Sequence, residues 1–167
     1  MEYNYSNKNI FEMDLTYARV FILLALCLAP NILGMINYTA DFGFKIHTFQ
    51  LAIFLVALSF GPIGGALAGA FGSVFSAVAT SNPYLLIGNV ILGFAFGVLA
   101  RMGWKVWKAV LAAYFIQLLW LIPSDLYLAH MPANVLTLLV ISLLISDMIW
   151  AVVAKWIHGN LQTKHIL

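Results

Sequence analysis

Between Lys45 and Arg101 the chain carries no aspartate, glutamate, lysine or arginine. A water-soluble domain cannot build its surface from such a run, because roughly 25% of its residues are normally charged. The whole sequence of 167 residues is 8% charged and 63% hydrophobic, with a mean hydropathy of +0.98. A chain so poor in charge belongs in a lipid bilayer, and the expected class is an all-α integral membrane protein.

Six stretches approach the roughly 20 apolar residues that one membrane crossing needs. They are Tyr17–Tyr38, Thr48–Phe60, Ile63–Thr80, Tyr84–Arg101, Val106–Pro123 and Ala133–Trp156. The second is short and stops at Gly61-Pro62, and the polar breaks "TSNP", "RMGWK" and "SDLYLAHMP" separate the later ones. Six crossings return both termini to one side. With that side cytoplasmic, Lys8, Arg19, Arg101, Lys105, Lys108, Lys155 and Lys164 lie inside and only Lys45 outside, which follows the positive-inside rule. The sequence therefore predicts a compact six-helix bundle over residues 17–157 in the plasma membrane. Residues 1–16 and 158–167 would be cytoplasmic segments. The polar start, with Glu2, Glu12 and Asp14, is unlike the basic region of a cleavable signal sequence. The single cysteine, Cys27, excludes an internal disulfide and reads as a buried thiol.

The segment "FGPIGGALAGAFGSV", Phe60–Val74, concentrates glycine among apolar residues. In lipid, helices associate by close packing, which small side chains permit. Gly61, Gly65 and Gly69 are spaced by four, as are Gly93 and Gly97, and Ala25 and Ala29. Each set lies on one helix face. Two uses follow: packing within the chain, or a smooth face that docks on a partner. Pro62, which has a fixed φ and no N–H, suits the first turn of a helix after a tight turn.

These residues, in "FGPIGGALAGAFGSVFSAV" and "NPYLLIGNVILGFAFGVLAR", resemble the core of the S-components of energy-coupling factor (ECF) transporters. The resemblance rests on Gly61, Pro62, Gly65, Gly69, Pro83, Gly93, Gly97 and Arg101. It implies a six-helix membrane subunit that binds a vitamin or similar micronutrient and docks on a transmembrane coupling subunit with two ABC ATPases. It further implies that the alanine pair contacting the coupling subunit falls at Ala25 and Ala29. The ligand would lie in the outer half, against spans four to six, under the loop Asn37–His47. The acidic residue that the family often carries near Phe75–Ala77 is absent here.

Polar residues within spans are costly and need a reason. Asn89 and Gln117 both fall about 8–9 Å below the outer ends of their spans, at 1.5 Å per residue. Trp120 lies one turn above Gln117, and Asn134 and Thr137 enter from the outer end of the sixth span. The outer loops add Tyr38, Asp41, His47, Asp125 and His130, with Tyr84 and Tyr127 nearby. A few polar groups set in apolar walls describe a small-molecule site, and the same amides could equally join helices to each other. No arginine lies on the outer side, which argues for a neutral or cationic, ring-containing ligand over an anion. His47 and His130 read as loop histidines rather than metal ligands, and no cofactor is expected.

Asp147 lies in the inner half of the sixth span, where a carboxylate must pair, protonate or meet water, and Arg19 is its expected partner. No catalytic constellation appears. Ser73 and Ser76 lack a nearby base, and phosphate-loop and H-E-x-x-H motifs are absent, so ATP hydrolysis would belong to other subunits. Nothing points to nucleic acid. The rival readings are a membrane scaffold of the MreD type and a stand-alone secondary carrier.

Overall fold

The computed structural model describes residues 10–13, 15–35, 38–40 and 44–163. The order is α1 (Tyr17–Met35), β1 (Tyr38–Ala40), β2 (Phe44–Ile46), α2 (Gln50–Gly72), α3 (Val74–Ala79), α4 (Tyr84–Arg101) and α5 (Val106–Pro123). A π-helical turn (Ser124–Leu128) and α6 (Ala133–Thr163) complete it. The short strands pair antiparallel, Thr39 opposite Lys45. Tyr38, expected to end the first span, therefore sits in a strand, and α6 runs past the expected end at Trp156.

Among the described residues four helical runs are long and apolar enough to cross a membrane: Gln50–Ala79, Tyr84–Arg101, Val106–Leu128 and Ala133–Thr163. The outward stripe of α6 is Leu138, Ile141, Ile145, Ile149, Val152 and Trp156, all exposed and spaced by three or four. A helix that turns its apolar residues outward has lipid as its solvent. This is a multi-pass membrane architecture.

The run Gln50–Ala79 is not one rod. Gly61 has φ 76° and ψ −162°, outside the helical region, and φ of this sign favours glycine. A Cβ placed on Gly65 would lie 2.8 Å from the Cβ of Ala57. On a straight helix those positions stand about 12 Å apart, so the two halves of α2 fold back on each other. The Arg101 guanidinium packs against Gly61, 2.6 Å from where a Cβ would stand, and donates to the carbonyls of Ile10 (3.1 Å) and Glu12 (2.8 Å). The hinge, the end of α4 and the segment before α1 are thereby tied together.

The second half of α2 lies antiparallel to α4. A Cβ on Gly69 would strike the Asn89 carbonyl, one on Gly65 the Gly93 carbonyl, and one on Gly97 the Cα of Pro62. All these glycines are buried, so their bare faces are consumed inside the chain and present no smooth face to a partner. Ala25 lies exposed on α1 beside Phe21, Leu24 and Leu28, while Ala29 is half-buried.

Asn31 fixes the break between α2 and α3. Its Nδ2 donates to the Phe71 carbonyl (2.8 Å) and its Oδ1 accepts from the Phe75 N–H (2.9 Å). One amide side chain thus satisfies a carbonyl and an N–H freed where the helix stops. Pro30 packs on Gly72 beside it.

The first half of α2 runs parallel to α6. The His47 N–H donates to Ser146 Oγ (3.3 Å), and Ser59 Oγ lies 3.0 Å from His158 Nδ1, at the same sequence offset. Hence α2 begins level with the middle of α6, and β2, just before it, packs on α6 as well. The main core is Phe54, Leu92, Phe96 and Val110 with Ala109, Ala113, Ala151 and Ala154, whose small side chains bring α4, α5 and α6 close.

Candidate functional site

At the end of the bundle where α4 begins and α5 stops, side-chain hydrogen bonds start α4 and join it to α5 and the turn that follows. Asn82 Oδ1 accepts from the Tyr84 N–H (3.1 Å), while its Nδ2 donates to Asp125 Oδ1 (2.7 Å). The first contact starts α4 and the second pins that start to the π-helical turn after α5. Trp120 Nε1 donates to the Tyr84 carbonyl (3.1 Å). Deeper, Gln117 Nε2 donates to Asn89 Oδ1 (3.3 Å).

Beneath this ladder lies a cavity of about 20 Å³, enough for one water-sized group. Its walls come from Tyr84, Leu85, Gly88 and Asn89 of α4, Gln117 and Leu121 of α5, Ser124 and Asp125 of the turn, and Leu139 and Leu143 of α6. His47 and Phe49 close its floor. They can do so because α2 starts midway along α6, which draws the preceding segment deep into the bundle. Gly88 leaves the space: a Cβ there would meet Gln117 Nε2 at 3.7 Å and Trp120 Cδ1 at 3.8 Å, ordinary contacts.

Asn89 and Gln117 are 2% and 1% exposed. Each spends one amide atom on the other. Asn89 Nδ2 and Gln117 Oε1 have no hydrogen-bond partner in the structure. A buried polar group left unpaired costs about 1–3 kcal/mol, so this pair is poorly used as helix glue alone. Among the described residues no lysine or arginine lines the cavity, and the one carboxylate that does, Asp125, is engaged by Asn82.

The structure brings together four of the residues expected at a ligand site: Asn89, Gln117, His47 and Asp125. Trp120 stands just behind, against Gly88. It does not bring Asn134, Thr137 or His130 to the cavity. All three are exposed, and Thr137 Oγ1 donates back to the Ala133 carbonyl (2.9 Å). The helix α6 turns Leu136, Leu139 and Leu143 inward and Asn134 and Thr137 outward. Tyr38 falls in β1, its side chain outside the described residues, and Asp41 is likewise outside them. Phe49, Gly88, Ser124, Leu139 and Leu143 escaped the sequence reading. Gly88, a lone glycine beside Asn89, was the signal available.

Asp147 and Gln50 form no part of this cavity. Both are fully buried, and neither the Asp147 carboxylate oxygens nor the Gln50 amide atoms have a hydrogen-bond partner in the structure. The expected Asp147–Arg19 pair does not form. The Arg19 guanidinium stacks on the Phe60 ring, 5.6 Å from its centroid, at the hinge end of α2. Among the described residues no group of three or more histidines, cysteines or acids is placed to hold a metal ion.

Comparison with protein-family models, with curated proteins and with solved structures finds no match to this chain.

Proposed function

We propose that this chain is the substrate-binding membrane subunit of an ECF-type importer, taking up a vitamin or similar small micronutrient. Six crossings follow if the two halves of α2 are counted separately at the Gly61 fold, α3 prolonging the second half. Both termini then lie in the cytoplasm, with the basic ends of α4 and α5, and the cavity opens outward. The observation that carries the reading is the cavity itself: buried amides with unspent hydrogen-bonding capacity, in apolar walls, floored by the segment that follows the β1–β2 hairpin. No chemistry is assigned to the chain. ATP would be hydrolysed by two ABC ATPases held through a transmembrane coupling subunit.

The small size of the cavity favours a second reading, a membrane scaffold of the MreD type that binds no ligand. Gentle extraction of the tagged protein from its native membrane, followed by mass spectrometry, separates the two. A polytopic subunit with two ABC-type ATPases supports the importer, and cell-wall or cytoskeletal proteins support the scaffold. Uptake that needs no ATPase subunit would instead identify a stand-alone carrier.

A further inference from the structure

The chemistry of the two cavity amides narrows the ligand beyond a small micronutrient. We infer that the site recognises a neutral, flat ring through a cis-amide edge, an N–H beside a C=O as in a lactam or pyrimidinone. The inference rests on the proposal that the cavity binds a small molecule.

Asn89 and Gln117 are joined by one hydrogen bond, which leaves one donor nitrogen, Asn89 Nδ2, and one acceptor oxygen, Gln117 Oε1, without a partner. The pattern does not depend on how the amide oxygens and nitrogens are assigned. Turning both side chains over also joins them by one bond and leaves one donor and one acceptor. A ligand satisfying both presents an acceptor and a donor, and a cis-amide edge offers the two on neighbouring atoms. A carboxylate offers acceptors only and leaves Gln117 Oε1 facing a negative charge. An ammonium offers donors only and leaves Asn89 Nδ2 unpaired.

The surroundings agree. Aromatic Phe49, His47 and Tyr84, with Leu121, Leu139 and Leu143, offer faces to a flat apolar ring. Among the described residues no cationic side chain lines the cavity to hold an anion, and Asp125 is already held by Asn82. The present volume takes one water-sized group, so binding a ring requires the walls to separate.

The test uses the full-length protein in lipid nanodiscs with 2-pyridone and 2-pyrone. These probes have one shape and differ only in N–H against ring oxygen. The expected result is binding of 2-pyridone at least tenfold tighter than 2-pyrone, because a site built to pair a donor rejects the isostere that lacks it. Gln117→Leu should abolish the preference. Gly88→Ala, which the backbone accommodates, should weaken 2-pyridone several-fold by filling the space. Should Gln117→Leu fail to fold, the comparison on the wild-type protein decides alone. Equal binding of the two probes overturns the inference, since the pocket then reads shape only. Binding of neither, with ATPase subunits recovered on extraction, overturns it and leaves the importer standing. Binding of neither, with scaffold partners recovered, overturns both.

Discussion

Gly65 and Gly93 meet backbone to backbone: a Cβ on either would overlap the carbonyl group of the other. Neither carbonyl can yield, because each belongs to a helix. Gly65→Ala and Gly93→Ala should each destabilise the protein by roughly 1–3 kcal/mol or more, the usual cost of forcing atoms into a packed core. Gly159→Ala is the control. Nothing lies within 4 Å of a Cβ there, so it should be neutral or slightly stabilising. Thermal unfolding in detergent, followed by loss of the monodisperse species, measures all three. Equal melting of the variants would contradict the close approach of α2 and α4.

Asn31 bridges the gap between α2 and α3 with two hydrogen bonds. Asn31→Leu keeps the branched shape and removes both, leaving a carbonyl and an N–H to fray. The expected loss is about 1–2 kcal/mol. Hydrogen exchange should rise first at Phe75, whose N–H loses its acceptor. An unchanged exchange rate there would remove Asn31 from this role.

Asp147 has no partner to lose. Replacing a buried carboxylate without one by an apolar residue of similar size relieves a desolvation cost rather than breaking a bond. Asp147→Leu should therefore melt at or above the wild-type temperature. A fall of several degrees would mean that the carboxylate is paired in the membrane-embedded protein. Stability retained with uptake abolished would assign Asp147 to transport.

The structure separates the residues expected at the ligand site into two classes, those that line the cavity and those on the exposed face of α6. Asn134→Ala and Thr137→Val, on the exposed face, should leave ligand binding within about twofold. Asn89→Leu and Gln117→Leu should reduce it at least tenfold, since each strands its partner amide in the cavity wall. Titration of the co-purified ligand against each variant gives the comparison. Loss of binding in the Thr137 variant would place the site on the other face of α6.

Cysteine labelling tests the six-crossing count. Cys27 is buried, and Cys27→Ser gives a thiol-free background. In that background, Gly103→Cys should react with a membrane-impermeant maleimide only from the cytoplasmic side and His130→Cys only from outside. Both positions are exposed, at the turns on either side of α5. Labelling of both from one side would refute a crossing between them.

Much of the helical layout was legible in the sequence because it depends on local quantities. The apolar runs Tyr84–Arg101 and Val106–Pro123 coincide with α4 and α5 as expected, since uncharged length and flanking breaks decide where a helix can lie in lipid. Gly61-Pro62 marked the reversal, because only a residue without Cβ takes that φ readily and proline then opens the next helix. That Asn89 and Gln117 stand level with each other, as their hydrogen bond shows, was likewise a matter of counting at a fixed rise per residue.

What the sequence by itself determined, then, was which segments are helical and where along its helix each polar residue falls. The tertiary structure decided azimuth and partner. It turned Asn134 and Thr137 outward and Leu139 and Leu143 inward, paired Asn89 with Gln117, and set Arg19 over Phe60 rather than against Asp147. It also spent the glycine faces between α2 and α4 and drew His47 and Phe49 beneath the cavity. The reason is physical. On an α6 apolar on nearly every side, hydropathy does not distinguish the face toward lipid from the face toward protein. That choice is made by which backbones can approach, and it depends on the neighbouring helices all at once.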